Sequence, residues 1–67
     1  MNYKLSYRER EVVELIAYEY TSKQIADELF ISPHTVQTHR KNVNSKLGIT
    51  NPAELTMFAH REGLLPT

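Results

Sequence analysis

The apolar residues of this chain fall into four clusters, each opened by a polar capping signal and closed by a turn. Ser6-Tyr7-Arg8-Glu9 has the form of a capping box: the serine hydroxyl accepts from a free helix amide and the glutamate reaches back to the serine N–H. It predicts a first helix over about 7–18, with Val12, Leu15, Ile16 and Ala17 turned inward. Thr21-Ser22-Lys23-Gln24 repeats the device and opens a short second helix, 22–29, through Ile25, Ala26 and Leu29. Ser32-Pro33 places a capping serine before a proline at the first helical position, where a missing N–H breaks no hydrogen bond. That third helix, 33–47, stops at Gly48 as a left-handed C-terminal cap. Asn51-Pro52-Ala53-Glu54 starts a fourth, 52–62, with Leu55, Phe58, Ala59 and Glu62 inward, and Gly63 closes it before Leu64, Leu65 and Pro66. No segment alternates with period two for long enough to form a strand. The expected class is all-α, a four-helix bundle forming a single domain over 1–67.

Only Phe30, Ile31 and Ser32 separate the second and third helices. So tight a turn forces them to cross steeply, as in a helix-turn-helix. Small Ala26 then falls at the closest approach, and Leu29, Ile31 and Val36 fill the angle. An ordinary helical hairpin carries the same local signals, so the surface of the third helix has to separate the two. At about 100° per residue from Val36, Val43 and Leu47 share an inner stripe flanked by His39 and Arg40. The outer side collects His34, Gln37, Thr38, Lys41, Asn42 and Ser45. These are hydrogen-bonding side chains of moderate length, suited to base edges and phosphates in a major groove.

Charge first obscures this picture and then supports it. Eight basic and eight acidic residues cancel, and the pI lies near 6.8, whereas a nucleic-acid binder usually carries a basic excess. The distribution is uneven. Residues 1–31 set Lys4, Arg8, Arg10 and Lys23 against Glu9, Glu11, Glu14, Glu19, Asp27 and Glu28. Residues 32–47 hold Arg40, Lys41 and Lys46 with no acid, and from Leu29 to Ala53 there is no carboxylate at all. A merely solvated helix face mixes Glu with Lys for intrahelical pairing, so this stretch is better matched to a polyanion.

Other chemistries are largely excluded. At 67 residues the core is small and stability marginal. The absence of cysteine removes disulfides, thiolate metal sites and cysteine nucleophiles. His34 and His39 project roughly 140° apart on one helix and cannot share a metal ion. There is no nucleophile elbow, paired acid or phosphate loop, so neither enzymatic activity nor a cofactor is expected. No apolar run approaches a membrane span and no signal-peptide pattern opens the chain, which points to the cytoplasm.

The motifs together resemble the LuxR-type (GerE-like) DNA-binding domain of bacterial transcription regulators. The resemblance rests on Leu5-Ser6-Tyr7-Arg8-Glu9-Arg10-Glu11-Val12, Lys23-Gln24-Ile25-Ala26, Leu29-Phe30-Ile31-Ser32 and Thr35-Val36-Gln37-Thr38-His39-Arg40. Lys46-Leu47-Gly48-Ile49 and Ala59-His60-Arg61-Glu62-Gly63-Leu64-Leu65 extend it, in order and without a gap, over residues 5–65. It implies a recognition helix in the major groove of duplex DNA and a last helix that pairs two domains. By position, His34, Gln37, Thr38 and Lys41 would meet bases. Lys23, Thr35, His39 and Arg40 would meet phosphates, helped by the amides that start the third helix. Ala53, Thr56, Met57 and His60 would form the homodimer patch, and RNA polymerase is a further candidate partner.

Three departures bear on that reading. Glu19 stands where the family usually has a glycine; if the position is left-handed, a glutamate there costs about 1 kcal/mol or more. Gln37 replaces a frequent lysine, shifting preference from guanine toward adenine. Pro52 replaces a frequent arginine, losing a charge but strengthening the helix start. The chain has no room for a receiver or ligand-binding module, so it is either an excised output domain or a stand-alone small regulator. One rival reading makes the scaffold a docking module for a regulator or polymerase subunit, which the neutral charge and acidic first half favour. Another is a sigma-factor-like promoter reader, which the Thr-Val-Gln-Thr-His and terminal Gly-Leu-Leu stretches disfavour.

Overall fold

The computed structural model of the chain describes residues 5–63; Lys4 and the Leu64-Leu65-Pro66 ending lie outside them. Four helices follow one another: α1 (Tyr7–Ala17), α2 (Ser22–Leu29), α3 (Pro33–Leu47) and α4 (Pro52–Arg61). No strand occurs among the described residues. The expected ends move by one residue at the close of α1 and α4, where Tyr18 and Glu62 are the caps.

Each start has the chemistry read from the sequence. In both capping boxes the hydroxyl accepts the N–H three residues on at 3.1 Å, and the acceptor returns to the cap N–H at 2.8 Å. The pairs are Ser6 with Glu9 and Thr21 with Gln24. Ser32 Oγ takes the Thr35 N–H at 3.1 Å, and Asn51 Oδ1 takes the Ala53 N–H at 2.7 Å.

Two helices end on residues that pay a steric penalty for left-handed backbone. Glu19 has φ 67°, and the Glu19 and Tyr20 amides return to the carbonyls of Ile16 and Leu15, a Schellman closure with glutamate at the glycine position. Phe30 has φ 59°, and the Ile31 N–H returns to the Ala26 carbonyl at 3.0 Å. This second reversal makes the short connection from α2 to α3. At the ends of α3 and α4 the left-handed sites, Gly48 and Gly63, carry no such penalty.

α1 is the hub: α4 and α3 both pack on it, and α2 rests chiefly on α3. The core joins Val12, Val13 and Ile16 to Ile25 and Ala26, Val36 and Val43, and Leu55, Phe58 and Ala59. Val36 and Val43 stand where the helical wheel put them, and Leu47 is half-buried beside them. On α1, Leu15 and Ala17 are half-buried and pack against the core as expected, while Val13 and even Glu9, not expected there, are inside as well. A helix enclosed by several neighbours buries a wider arc than a one-faced amphipathic helix. Glu62, expected inward, lies beyond the last turn of α4 and is exposed.

Candidate nucleic-acid interface

With Val36 and Val43 anchoring α3 to the core, its other side is turned to solvent. His34, Gln37, Thr38, Lys41, Asn42 and Ser45 are all exposed there, the set the wheel had gathered. Lys23, Arg40 and Lys41 form no ion pair among the described residues, whereas Arg8 pairs with Glu11 and Lys46 with Glu9. Lys46, expected to add to the positive field of α3, is instead held by the Glu9 carboxylate at 2.8 Å. Among the described residues of α2 and α3, the cations without an ion pair are thus Lys23, Arg40 and Lys41.

Hydrogen bonds decide what some of these side chains can offer. Thr38 Oγ1 donates to the His34 carbonyl at 3.2 Å, so its methyl group and lone pairs are what remain for a ligand. The Thr35 and Ser32 hydroxyls lie 2.9 Å apart. Pro33 has no N–H and the Thr35 N–H is taken by Ser32, so the anion affinity expected of the first α3 amides is reduced. Gln37 Nε2 donates to Ser22 Oγ at 2.9 Å, which ties the middle of the outer face to the first residue of α2, next to exposed Lys23. Ser22 was not singled out by the sequence, because its partner lies fifteen positions away.

The expected phosphate-facing residues split between the two flanks of that face. Thr35 and His39, both half-buried, lie along one. Arg40, also half-buried, lies along the other and lines a groove with Ile16, Glu19, Tyr20, Pro52 and Thr56. That groove leads onto α4, where Ala53, Met57 and His60 are exposed and Met57 is 64% accessible. Thr56 is half-buried, and its hydroxyl donates to the Pro52 carbonyl at 3.1 Å. Among the described residues no cluster of three His, Asp or Glu side chains could hold a metal ion, and no helix is long and apolar enough to cross a membrane.

Comparison with known proteins gives this surface its context. Residues 3–59 match the family described as bacterial regulatory proteins, luxR family (GerE). The oxygen regulatory protein NreC of Staphylococcus aureus strains JH9 and JH1 is 43% identical over 61 residues, which is 91% of this chain. The chain spans only 28% of the length of those relatives. A solved structure of the transcription factor GerE superposes with a TM-score of 0.79 at 35% identity, covering 92% of each chain. The chain belongs to the luxR family of bacterial regulatory proteins, as a helix-turn-helix DNA-binding domain of that family.

Proposed function

We propose that this domain binds duplex DNA sequence-specifically as the output unit of a bacterial transcription regulator in the cytoplasm, with α3 in the major groove. The observation that carries this reading is the carboxylate-free outer face of α3, with His34, Gln37, Thr38 and Lys41 exposed side by side. In the proposed complex these four meet base edges, Lys41 favouring guanine and Gln37 adenine. Lys23, Thr35, His39 and Arg40 approach the phosphates. Arg40 keeps its stem in the groove beside Tyr20 and extends only its guanidinium.

The domain acts as a pair, two copies meeting through Ala53, Thr56, Met57 and His60 on α4. Such a two-fold contact places half-sites about one helical turn, roughly 10 base pairs, apart. The relatives named as an oxygen regulatory protein and a transcription factor support a role in controlled transcription. Selection of the chain against a random duplex library at moderate salt tests the reading. A symmetric motif with half-sites near one turn apart is the expected result, and recovery of no preferred sequence would overturn it.

One observation favours the docking alternative, in which the scaffold contacts a regulator or an RNA polymerase subunit. Phe30 is 93% exposed at the turn between α2 and α3, beside exposed Asp27 and Glu28. An aromatic side chain next to acids is a surface for a basic protein and not for DNA. Binding to polymerase subunits without any duplex selection would support that alternative.

A further inference from the structure

We propose that Ser22 is a specificity-determining positioning residue: its hydroxyl anchors the Gln37 amide against the start of α2 and thereby narrows the base edges that Gln37 can meet. The inference rests on the proposed reading of α3 as the base-reading helix.

A glutamine side chain carries an acceptor, Oε1, and two N–H donors on Nε2. Exposed on a helix, its terminal torsion is broad and nearly two-fold, so the two ends exchange easily. An amide that flips freely matches several base edges and discriminates poorly among them. Gln37 is not free to swing in this way, since its amide rests against Ser22 Oγ, with Nε2 donating at 2.9 Å. In this arrangement one N–H faces α2, leaving Oε1 and one N–H for a ligand. These are an acceptor and a donor side by side, the pair that adenine requires at N6–H and N7.

Ser22 is well placed to impose this orientation. It is the first residue of α2, directly after the Thr21 cap, and the reciprocal Thr21–Gln24 hydrogen bonds at 2.8 and 3.1 Å fix the backbone that carries it. A short side chain on a capped helix start has little freedom, so it can serve as a fixed anchor for a longer one. The contact also joins two elements with separate tasks. Lys23, next to Ser22, is proposed to meet a phosphate, and Gln37 a base, so the position of α2 on the DNA backbone is passed to the base-reading amide.

The test runs four proteins through one random-duplex selection: the natural chain, Gln37→Ala, Ser22→Ala and Ser22→Thr. Gln37→Ala should erase the preference at one base pair per half-site, where the natural chain discriminates by between about 5-fold and about 150-fold. Ser22→Ala should lower discrimination at that same base pair by about 2- to 10-fold, the loss of one hydrogen bond, and leave the other positions unchanged. Ser22→Thr, which keeps the hydroxyl, should restore it. Ser22→Ala with all preferences intact, or with a uniform loss on every sequence, would overturn the inference and leave Ser22 as a spectator or a phosphate contact. If Gln37→Ala changes no preference, the base-reading role of Gln37 fails, and the inference with it. Thermal melting of Ser22→Ala should match the natural chain, because the cap itself is Thr21.

Discussion

Lys46 Nζ donates to Glu9 Oε1 across 2.8 Å, and the Ser6 N–H ends on the same oxygen, also at 2.8 Å. One carboxylate thus closes the capping box of α1 and fastens the last turn of α3. It does so with its side chain only 6% exposed, against 41% for that of Lys46. Burial opposes ionisation of Glu9, but the Lys46 ammonium and the Ser6 hydrogen bonds outweigh it, holding the carboxyl below its ordinary range.

This pair makes acid stability measurable at one residue. The folded-state pKa of Glu9 is depressed, so its contribution is complete above the unfolded value of about 4.3 and is lost as pH falls through the folded value. Glu9→Gln keeps a carbonyl for the Ser6 N–H but removes the charge that holds Lys46. At pH 7 it should cost about 1–2 kcal/mol, a charged hydrogen bond discounted for the solvent around Lys46. The gap between the natural chain and Glu9→Gln should then narrow as pH falls below the ordinary carboxylate range and through the depressed folded-state value. A gap that stays constant from neutral to acid pH in melting experiments would mean that the ion pair stabilises nothing.

Two left-handed residues offer stability gains. Glu19 and Phe30 hold φ values of 67° and 59°, and both side chains are exposed, so replacing them removes little packing. Glycine relieves about 1–2 kcal/mol of strain but returns some of it as greater unfolded-chain entropy. Glu19→Gly and Phe30→Gly should each therefore stabilise by roughly 0.5–1 kcal/mol, raising the melting temperature of a domain this small by about 2–8 °C. A lowered melting temperature for Glu19→Gly would show that its side chain holds Arg40 or Tyr20 strongly enough to outweigh the strain.

The parts of this molecule legible in the sequence are those whose causes are local. A capping box is complete within four residues, so the starts of α1 and α2 could be read, as could the proline starts of α3 and α4. Glu19 was suspect because a glycine is usual there, and its φ confirms the left-handed site. Phe30 gave no such warning, although three residues between two helices require a reversal somewhere. What the sequence could not display were contacts between distant positions. Glu9 looks like any first-turn acid until its partner 37 positions away is known. Ser22 likewise looks like plain helix surface until Gln37 is placed against it. The inward arc of α1 is wider than its apolar spacing alone implies for the same reason, because its width depends on how many helices enclose it.

Lys41 and Lys23 should separate by the kind of loss they cause. Lys41 is exposed amid the proposed base-facing residues, so Lys41→Ala should weaken binding to the selected site by about 1–3 kcal/mol and relax preference at one position. Lys23 is exposed at the start of α2, so Lys23→Ala should weaken all sequences alike and reduce the salt dependence by about one unit of slope. Titrations on matched and scrambled duplexes at several salt concentrations distinguish the two. An equal loss on all sequences for Lys41→Ala would move it to the phosphates, and an unchanged slope for Lys23→Ala would remove it from them.

Met57 tests the pairing of two domains without touching the groove face. It is 64% exposed on α4, between exposed Ala53 and His60 one turn to either side, while Leu55, Phe58 and Ala59 hold the helix to the core. An apolar, flexible side chain amid small neighbours makes a patch that a two-fold copy can match. Met57→Glu puts like charges opposite each other across such an axis and leaves the core intact. The melting temperature should therefore stay within the range of ordinary surface substitutions, about 0.5 kcal/mol in stability. Binding to a single half-site should also persist. Cooperative binding to a paired site should disappear, seen as the loss of the doubly bound species at concentrations where the natural chain fills both half-sites together. Cooperativity that survives in Met57→Glu would place the contact between domains on another surface, and the groove beside Tyr20 and Arg40 would be the next to probe.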